Sequence, residues 1–192
     1  MLLHRPTYEE FQEYIVTMRY HLLLAVLVFA ASTVTGYGCA ALSPGLSAEL
    51  MNKLSSQFGA LVGLPPLLLM LRIFAQNSVL CFAVMLLGIL FGIIPMVFLI
   101  YNGFIIGAVI YAVSQKHGIA LVLLNILPHG VIEIPMVLLS AAIGIRLGHE
   151  TIKKLLGEGV IKKTLIDGLR IYAFWILPLL FVAAAIEAAL VL

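Results

Sequence analysis

Long apolar stretches separated by short polar segments make up most of the chain. A transmembrane helix needs about 20 mainly apolar residues. By that measure the pattern predicts five spans, which lie at residues 16–41 (or 22–41), 77–93, 96–113, 121–148 and 169–191. The second and third spans share one uncharged stretch, residues 73–115, and Gly92 and Pro95 mark the turn between them.

The polar amino terminus predicts a short helix at the membrane surface. Pro6 and Thr7 followed by two acidic residues are typical of a helix start, because acidic side chains in a first turn suit the helix dipole. We therefore expect residues 1–15 to form a cytoplasmic interfacial segment that leads into the first span.

The sequence of residues 42–76 predicts an outer segment that forms an interfacial or re-entrant amphipathic helix. The apolar run within it, residues 58–72, is too short to span comfortably, and Pro65-Pro66 interrupts it. A sixth span is the alternative. We expect Asn77 and Ser78 to cap the helix that follows.

Composition places the chain in a membrane rather than in water. Of its 192 residues, 63% are hydrophobic and 10% are charged, whereas a soluble domain is about 25% charged. We predict an all-α fold, a polytopic transmembrane helix bundle that forms one integral membrane domain over residues 1–192. A net charge of +2 gives no reason to expect a nucleic-acid partner. Cys39 and Cys81 lie in apolar contexts, which favours packing over a disulfide.

The cations are distributed unevenly, and their distribution predicts the orientation. With five spans, eight cations lie on one side and three on the other: Arg5, Arg19, Arg146, Lys153, Lys154, Lys162, Lys163 and Arg170 against Lys53, Arg72 and Lys116. Because cytoplasmic loops are enriched in Lys and Arg, we expect a multi-pass protein of the cell membrane with a cytoplasmic amino terminus. The basic linker at residues 149–168 would then be cytoplasmic. Its lysine pairs fit either of two roles: they bind anionic lipid, or they are a topology signal that has no partner.

Pairs of glycines four residues apart recur along the apolar stretches. They are Gly59 with Gly63, Gly88 with Gly92, Gly103 with Gly107, and Gly144 with Gly148. Such pairs let a neighbouring helix backbone approach closely. We expect them to pack helices together, either within the monomer or between the subunits of a homo-oligomer.

Residues 121–148 hold two ionisable side chains at a depth where a bilayer makes them costly. His129 and Glu133 are four residues apart, so they share a helix face and can touch. His129 would lie about 15 Å deep, near the midplane. Pro128 and Pro135 bracket the pair and leave two carbonyls without helical donors, which predicts kinks.

Other polar residues are expected to extend this cluster. Asn125 lies one turn before His129, and Asn102 on the preceding span is a candidate partner for the pair. Glu187 on the last span is a further intramembrane carboxyl, nearer the outer surface. Ionisable residues inside a membrane face the bundle interior and mark functional sites.

Three interpretations of the cluster stay open. It is a hydrogen-bonded pair that fixes helix packing, a proton or cation site, or a site at which His129 and Glu133 bind a divalent metal ion. The metal site is short of ligands, because zinc takes three or four and the chain has no His-Glu-x-x-His motif. Since motifs for a serine nucleophile or a phosphate loop are also missing, we predict neither an enzyme nor a resident cofactor.

Four short pieces of the chain resemble the stage II sporulation protein M family of integral membrane proteins. They are IFAQNS (73–78), GILFGIIP (88–95), YNGFIIG (101–107) and, most specifically, LPHGVIEIP (127–135). The resemblance implies a multi-helix membrane protein, which in sporulating bacteria looks like a platform for enzymes that remodel peptidoglycan. It also implies importance for Asn102, His129 and Glu133, with Gly103 and Gly130 as close-packing glycines.

We therefore predict a non-enzymatic membrane platform or assembly partner that forms a homo-oligomer and contacts other membrane proteins. The alternative is a small transporter or channel that binds a cation or proton at His129, Glu133 and Asn102.

Overall fold

The computed structural model describes residues 5–43 and 63–190 together with positions 45, 49 and 52, and it describes only the backbone of residues 116, 117 and 119–129. In the two long ranges every regular element is helical. The helices are α1 (Tyr8–Leu42), α2 (Pro66–Leu87), α3 (Ile93–His117), α4 (Ile119–Leu155), α5 (Ile161–Ile171) and α6 (Leu177–Leu190), with a π-helical turn (Tyr172–Ile176) between α5 and α6.

Five helical stretches of the described residues are long and apolar enough to cross a membrane. They are Tyr8–Leu42, Pro66–Leu87, Ile93–Gln115, Gly130–Leu155 and Ile161–Leu190. The predicted all-α bundle with five spans is thereby confirmed. The last stretch joins α5, the π-helical turn and α6 into one continuous helix.

The first helix is longer than its predicted span. Thr7 caps α1 through a reciprocal capping box with Glu10, in which the Glu10 amide nitrogen lies 3.2 Å from Thr7 Oγ1. Residues 8–15 of the predicted interfacial segment are helical and lead into the span without a break. Residues 1–4 lie outside the described part of the chain, and the location of the segment at the membrane surface stays a prediction. At 35 residues, α1 is about 52 Å long and exceeds the bilayer core of about 30 Å.

The start of α2 corrects the prediction for residues 58–72. The helix begins at Pro66 and runs to Leu87, so Arg72 and Asn77 lie inside it rather than at a helix end and a cap. Proline is tolerated at the first helical position because that amide has no acceptor there. Pro65-Pro66 therefore starts the span instead of interrupting it. Residues 53–62, including Gly59, lie outside the described part of the chain.

The turn between α2 and α3 comes earlier than predicted. It occupies residues 88–92, and the Gly92 amide donates to the Gly88 carbonyl at 2.8 Å. Gly92 adopts a left-handed conformation with φ of 73°, which suits glycine. Pro95 is the third residue of α3. The first turn of a helix has no acceptors for its amides, so a proline is tolerated there. Pro95 therefore belongs to the helix and does not mark the turn.

The fourth helix continues past the predicted end of its span. It runs unbroken through Pro128 and Pro135 and ends at Leu155, and α5 begins at Ile161. The basic linker predicted at residues 149–168 is therefore not one segment, because its two halves belong to different helices. Beyond α5, Pro178 has no amide to donate to the Phe174 carbonyl, and the helix passes through its π-helical turn just before this point.

α4 lies at the centre of the bundle and α1 at its periphery. Half of the apolar stretch in α4 is buried (50%), against 11% in α1. The core around α4 contains side chains from every membrane-spanning helix, among them Met18, Met85, Leu99, Ile143 and Leu180.

One end of the bundle collects most of the cations, and we call it the basic end. There α1 begins, α2 turns into α3, and α4 gives way to α5. Contacts across this end hold the helices in register: Arg146 of α4 donates to Thr17 Oγ1 of α1 at 3.0 Å. The other end, called the opposite end, contains the start of α2 and the junction of α3 with α4.

Candidate functional site

Glu133 lies on α4 midway between the start of the helix at Ile119 and Arg146 at the basic end. It comes 14 residues after Ile119 and 13 residues before Arg146, so about 20 Å of helix separates it from either point. Its side chain is half-buried within the bundle. The depth of this carboxyl within a membrane stays a prediction.

The carboxylate of Glu133 lies close to the side chain of Asn77 on α2, and Glu187 on α6 is near enough to act on it electrostatically. Three helices therefore bring polar side chains near one another. Charged groups inside a bilayer persist only where protein covers them. Asn77 is a polar side chain that lies beside this carboxylate.

The polar region continues from Glu133 toward the basic end. The Cys81 thiol of α2 lies close to the Ser140 side chain of α4, and Ser140 Oγ donates to the Met136 carbonyl at 2.9 Å. On the last span, the buried Tyr172 hydroxyl donates to the Ser78 carbonyl at 2.7 Å. These contacts connect α2 to α4 and to the π-helical turn. Both cysteines, at positions 39 and 81, are free.

Asn77 and Tyr172 were missed by sequence reasoning. Asn77 was interpreted as a helix cap, although it stands in an uncharged apolar stretch, and that position was the available signal. Asn77 and Cys81 are four residues apart, so once α2 is known to be continuous they share a helix face. No local signal in the sequence pairs Tyr172 with Ser78, 94 residues away.

The other predicted members of the cluster are placed less directly. Asn102 Nδ2 donates to the Phe98 carbonyl of its own helix at 2.8 Å, and not to Glu133. The side chains of His129 and Asn125 lie outside the described residues. Their part in the site, including a metal ion held by His129 and Glu133, stays a prediction. Among the described side chains, no group of three or more His, Cys, Asp or Glu residues is arranged to hold a metal ion.

The glycines predicted to pack helices lie at two backbone contacts. Gly103 and Gly107 of α3 face the α1 backbone at Phe29 and Thr33. Gly88 faces Gly144, and Gly92 faces Gly148, where the α2–α3 turn meets α4. A Cβ atom at Gly144 would lie 2.6 Å from Pro95 Cγ, closer than side chains tolerate. Gly130 is buried in α4.

A pair of histidines joins α1 to α4 at the basic end. His21 Nε2 lies 3.2 Å from His149 Nδ1, and the bond requires one of these nitrogens to accept and the other to donate. Nearby, the Arg146 guanidinium lies 5.4 Å from the centre of the Tyr14 ring. The two histidines are 128 positions apart in the sequence, so no local sequence pattern indicates this contact.

Comparison with known proteins agrees with this architecture. A family model described as Stage II sporulation protein M matches residues 25–191, which is most of the chain. No curated protein matches the chain, and no solved structure matches it.

Proposed function

Because the chain belongs to the stage II sporulation protein M family, we propose that it is a non-enzymatic membrane platform, an assembly partner for other membrane proteins and for copies of itself. The observation that supports this most is the pairing of polar groups between helices in the membrane interior. Glu133 lies close to Asn77 and Cys81 lies close to Ser140, and the Tyr172 hydroxyl donates to the Ser78 carbonyl. Groups used in this way hold helices in fixed positions. A platform needs a fixed shape.

Flux measurement in proteoliposomes tests the proposal. We expect no flux of protons or divalent metal ions above protein-free liposomes. Glu133→Gln should then lower stability without changing flux, because the glutamine keeps the shape and loses the charged acceptor. Ser114→Ala, at the end of α3 and outside the polar region, is the control. If the native protein shows flux and a folded Glu133→Gln protein does not, the proposed platform function is refuted.

A second candidate function is a small transporter or channel for a proton or cation. The specific observation in its favour is that Glu187 lies close to Glu133. Two carboxylates that are close together in a medium of low dielectric constant can share a proton or hold a cation between them. The same flux experiment decides between the two functions, with Glu187→Gln expected to abolish flux if this one is correct.

Self-association through α1 is a separate part of the proposal, because α1 is the least buried of the five spans and so has the most surface free to meet a second copy. Its outward apolar surface is large, with Val34 73% exposed. With Cys39 and Cys81 replaced by serine, we expect Val34→Cys to form disulfide-linked dimers in the membrane. The control is Val79→Cys on α2, which is 68% exposed. Equal cross-linking at both positions would mean random collision rather than an α1 interface.

We place the amino terminus and the basic end in the cytoplasm, because that arrangement obeys the positive-inside rule. An impermeant thiol reagent applied to intact cells tests this in a protein lacking Cys39 and Cys81. It should label Gln115→Cys at the opposite end directly. It should label Glu9→Cys at the basic end only after permeabilisation. The reverse pattern would refute the orientation.

A further inference from the structure

A groove at the basic end opens between the end of α4 and the outer surface of α5. Its volume is about 830 Å³. Four cations line it against one carboxylate, that of Asp167, and the cations are Lys154, Lys162, Lys163 and Arg170. We call this the basic groove. Its excess of positive charge calls for an anionic occupant.

The lysines of the groove are available to such an occupant. Lys154, Lys162 and Lys163 are exposed, and none of them forms an ion pair with any residue in the described part of the chain. The acidic side chain closest to them along α4, Glu150, is already engaged. It pairs with Lys153 at 3.4 Å and accepts a hydrogen bond from the Val160 amide at 2.9 Å.

Apolar side chains surround the same groove. Val160 lines the groove and is 56% exposed, and Leu155 (73% exposed) and Leu156 (77% exposed) follow Lys154 at the end of α4. Exposed leucines beside lysines suit an amphiphile, whose chains cover the apolar side chains while its charged head meets the lysines. A soluble anion would leave these leucines uncovered.

The depth of the groove also suits a lipid headgroup. Trp175 follows Arg170 by five residues and stacks on Phe11, with ring centres 4.4 Å apart. Trp is enriched at the boundary between membrane and water. The groove, which α5 forms just before Trp175, therefore lies at the level of phospholipid phosphates.

We propose that the basic groove binds the phosphate headgroup of an anionic phospholipid, with the acyl chains along the exposed apolar side chains at the end of α4. This goes beyond the platform function and does not depend on it. Each cation near an anionic membrane surface strengthens binding about fivefold. Loss of Lys162 and Lys163 should therefore weaken binding on the order of 25-fold.

Native mass spectrometry of the full chain in detergent tests the site, with phosphatidylglycerol as the anionic probe and phosphatidylcholine as the zwitterionic one. The test variant is Lys162→Gln/Lys163→Gln. The matched control is Arg72→Gln/Lys116→Gln, which removes the same charge from the opposite end. We expect the native chain and the control to retain phosphatidylglycerol equally, and the test variant to lose it. Lys162→Gln alone, at an exposed position, serves if the double variant does not fold, with a loss of about fivefold.

Three results would overturn the proposal. In the first result, the native chain binds both lipids equally. In the second, both double variants lose phosphatidylglycerol to the same extent. In the third result, glycerophosphate in the buffer would displace the lipid at comparable concentration, which would identify the ligand as a soluble phosphate. We expect glycerophosphate to have no such effect, because it lacks the chains that would cover Leu155 and Leu156.

Discussion

Gly103 lies against the backbone of α1, and its replacement by alanine tests the packing argument directly. A Cβ atom there would lie 2.6 Å from the Phe29 carbonyl oxygen and 2.9 Å from Ser32 Cβ. Ordinary van der Waals contact begins at 3.4 Å. The two helices would therefore have to separate by about 0.8 Å, because a backbone carbonyl in a helix cannot rotate away as a side chain can.

The cost of this separation follows from known overpacking effects. An extra methyl group in a packed core costs about 1 to 3 kcal/mol. Alanine recovers up to about 1 kcal/mol because it is the better helix former. We expect Gly103→Ala to lower the free energy of unfolding by about 1 to 2 kcal/mol net.

Reversible unfolding by a denaturing detergent measures this quantity, and Gly38→Ala on α1 is the matched control. The control makes the same chemical change at a position with nothing within 4 Å of the added Cβ. It should leave stability unchanged or raise it slightly. Equal effects of the two substitutions would refute the assignment of Gly103 to a close helix contact. Destabilisation by Gly38→Ala alone would instead indicate a neighbour that is not among the described residues of this chain.

The bonds between the helices yield three further predictions. A double-mutant cycle of Glu133→Leu and Asn77→Leu should give a coupling energy of about 0.5 to 3 kcal/mol in the same unfolding assay, whereas zero coupling would mean that the contact between these side chains contributes nothing. Tyr172→Phe should cost about 0.5 to 1.5 kcal/mol, because the Ser78 carbonyl loses its donor in a buried position, and an unchanged free energy of unfolding would contradict this. Acidification should lower the thermal stability of the native chain more than that of His21→Gln/His149→Gln, because two protonated imidazoles cannot hydrogen-bond to each other and repel. Identical pH profiles would show that the histidine contact is energetically neutral.

The spans could be predicted from the sequence because the bilayer imposes a length. About 20 apolar residues in a row have few alternatives to a membrane-spanning helix, so five spans and an all-α bundle followed from the pattern. The helix ends did not follow as well. Pro65-Pro66 was interpreted as a break, yet proline also starts helices, and the span at residues 77–93 proved to be α2, Pro66–Leu87.

The candidate site shows a similar division. The position of Glu133 along its helix could be predicted because it depends only on the number of residues from the helix start. Its partner could not, because the helix that faces Glu133 depends on how five helices are arranged and rotated. Sequence reasoning chose Asn102 of α3, whereas the structure brings Asn77 of α2 to the carboxylate. The piece IFAQNS (73–78), part of the family resemblance, already contained this residue.

The sequence by itself determined the class of this protein, the number of its spans, the family and the glycines available for close contacts. These depend on composition, on lengths set by the bilayer and on motifs read along the chain. Only the tertiary structure decided that Glu133 meets Asn77, that His21 meets His149, and that the basic linker divides between two helices to form a groove. These contacts join residues far apart in sequence, and they depend on the rotation and separation of whole helices. Hydrophobicity leaves that arrangement open, because in lipid every outward apolar face is equally well solvated.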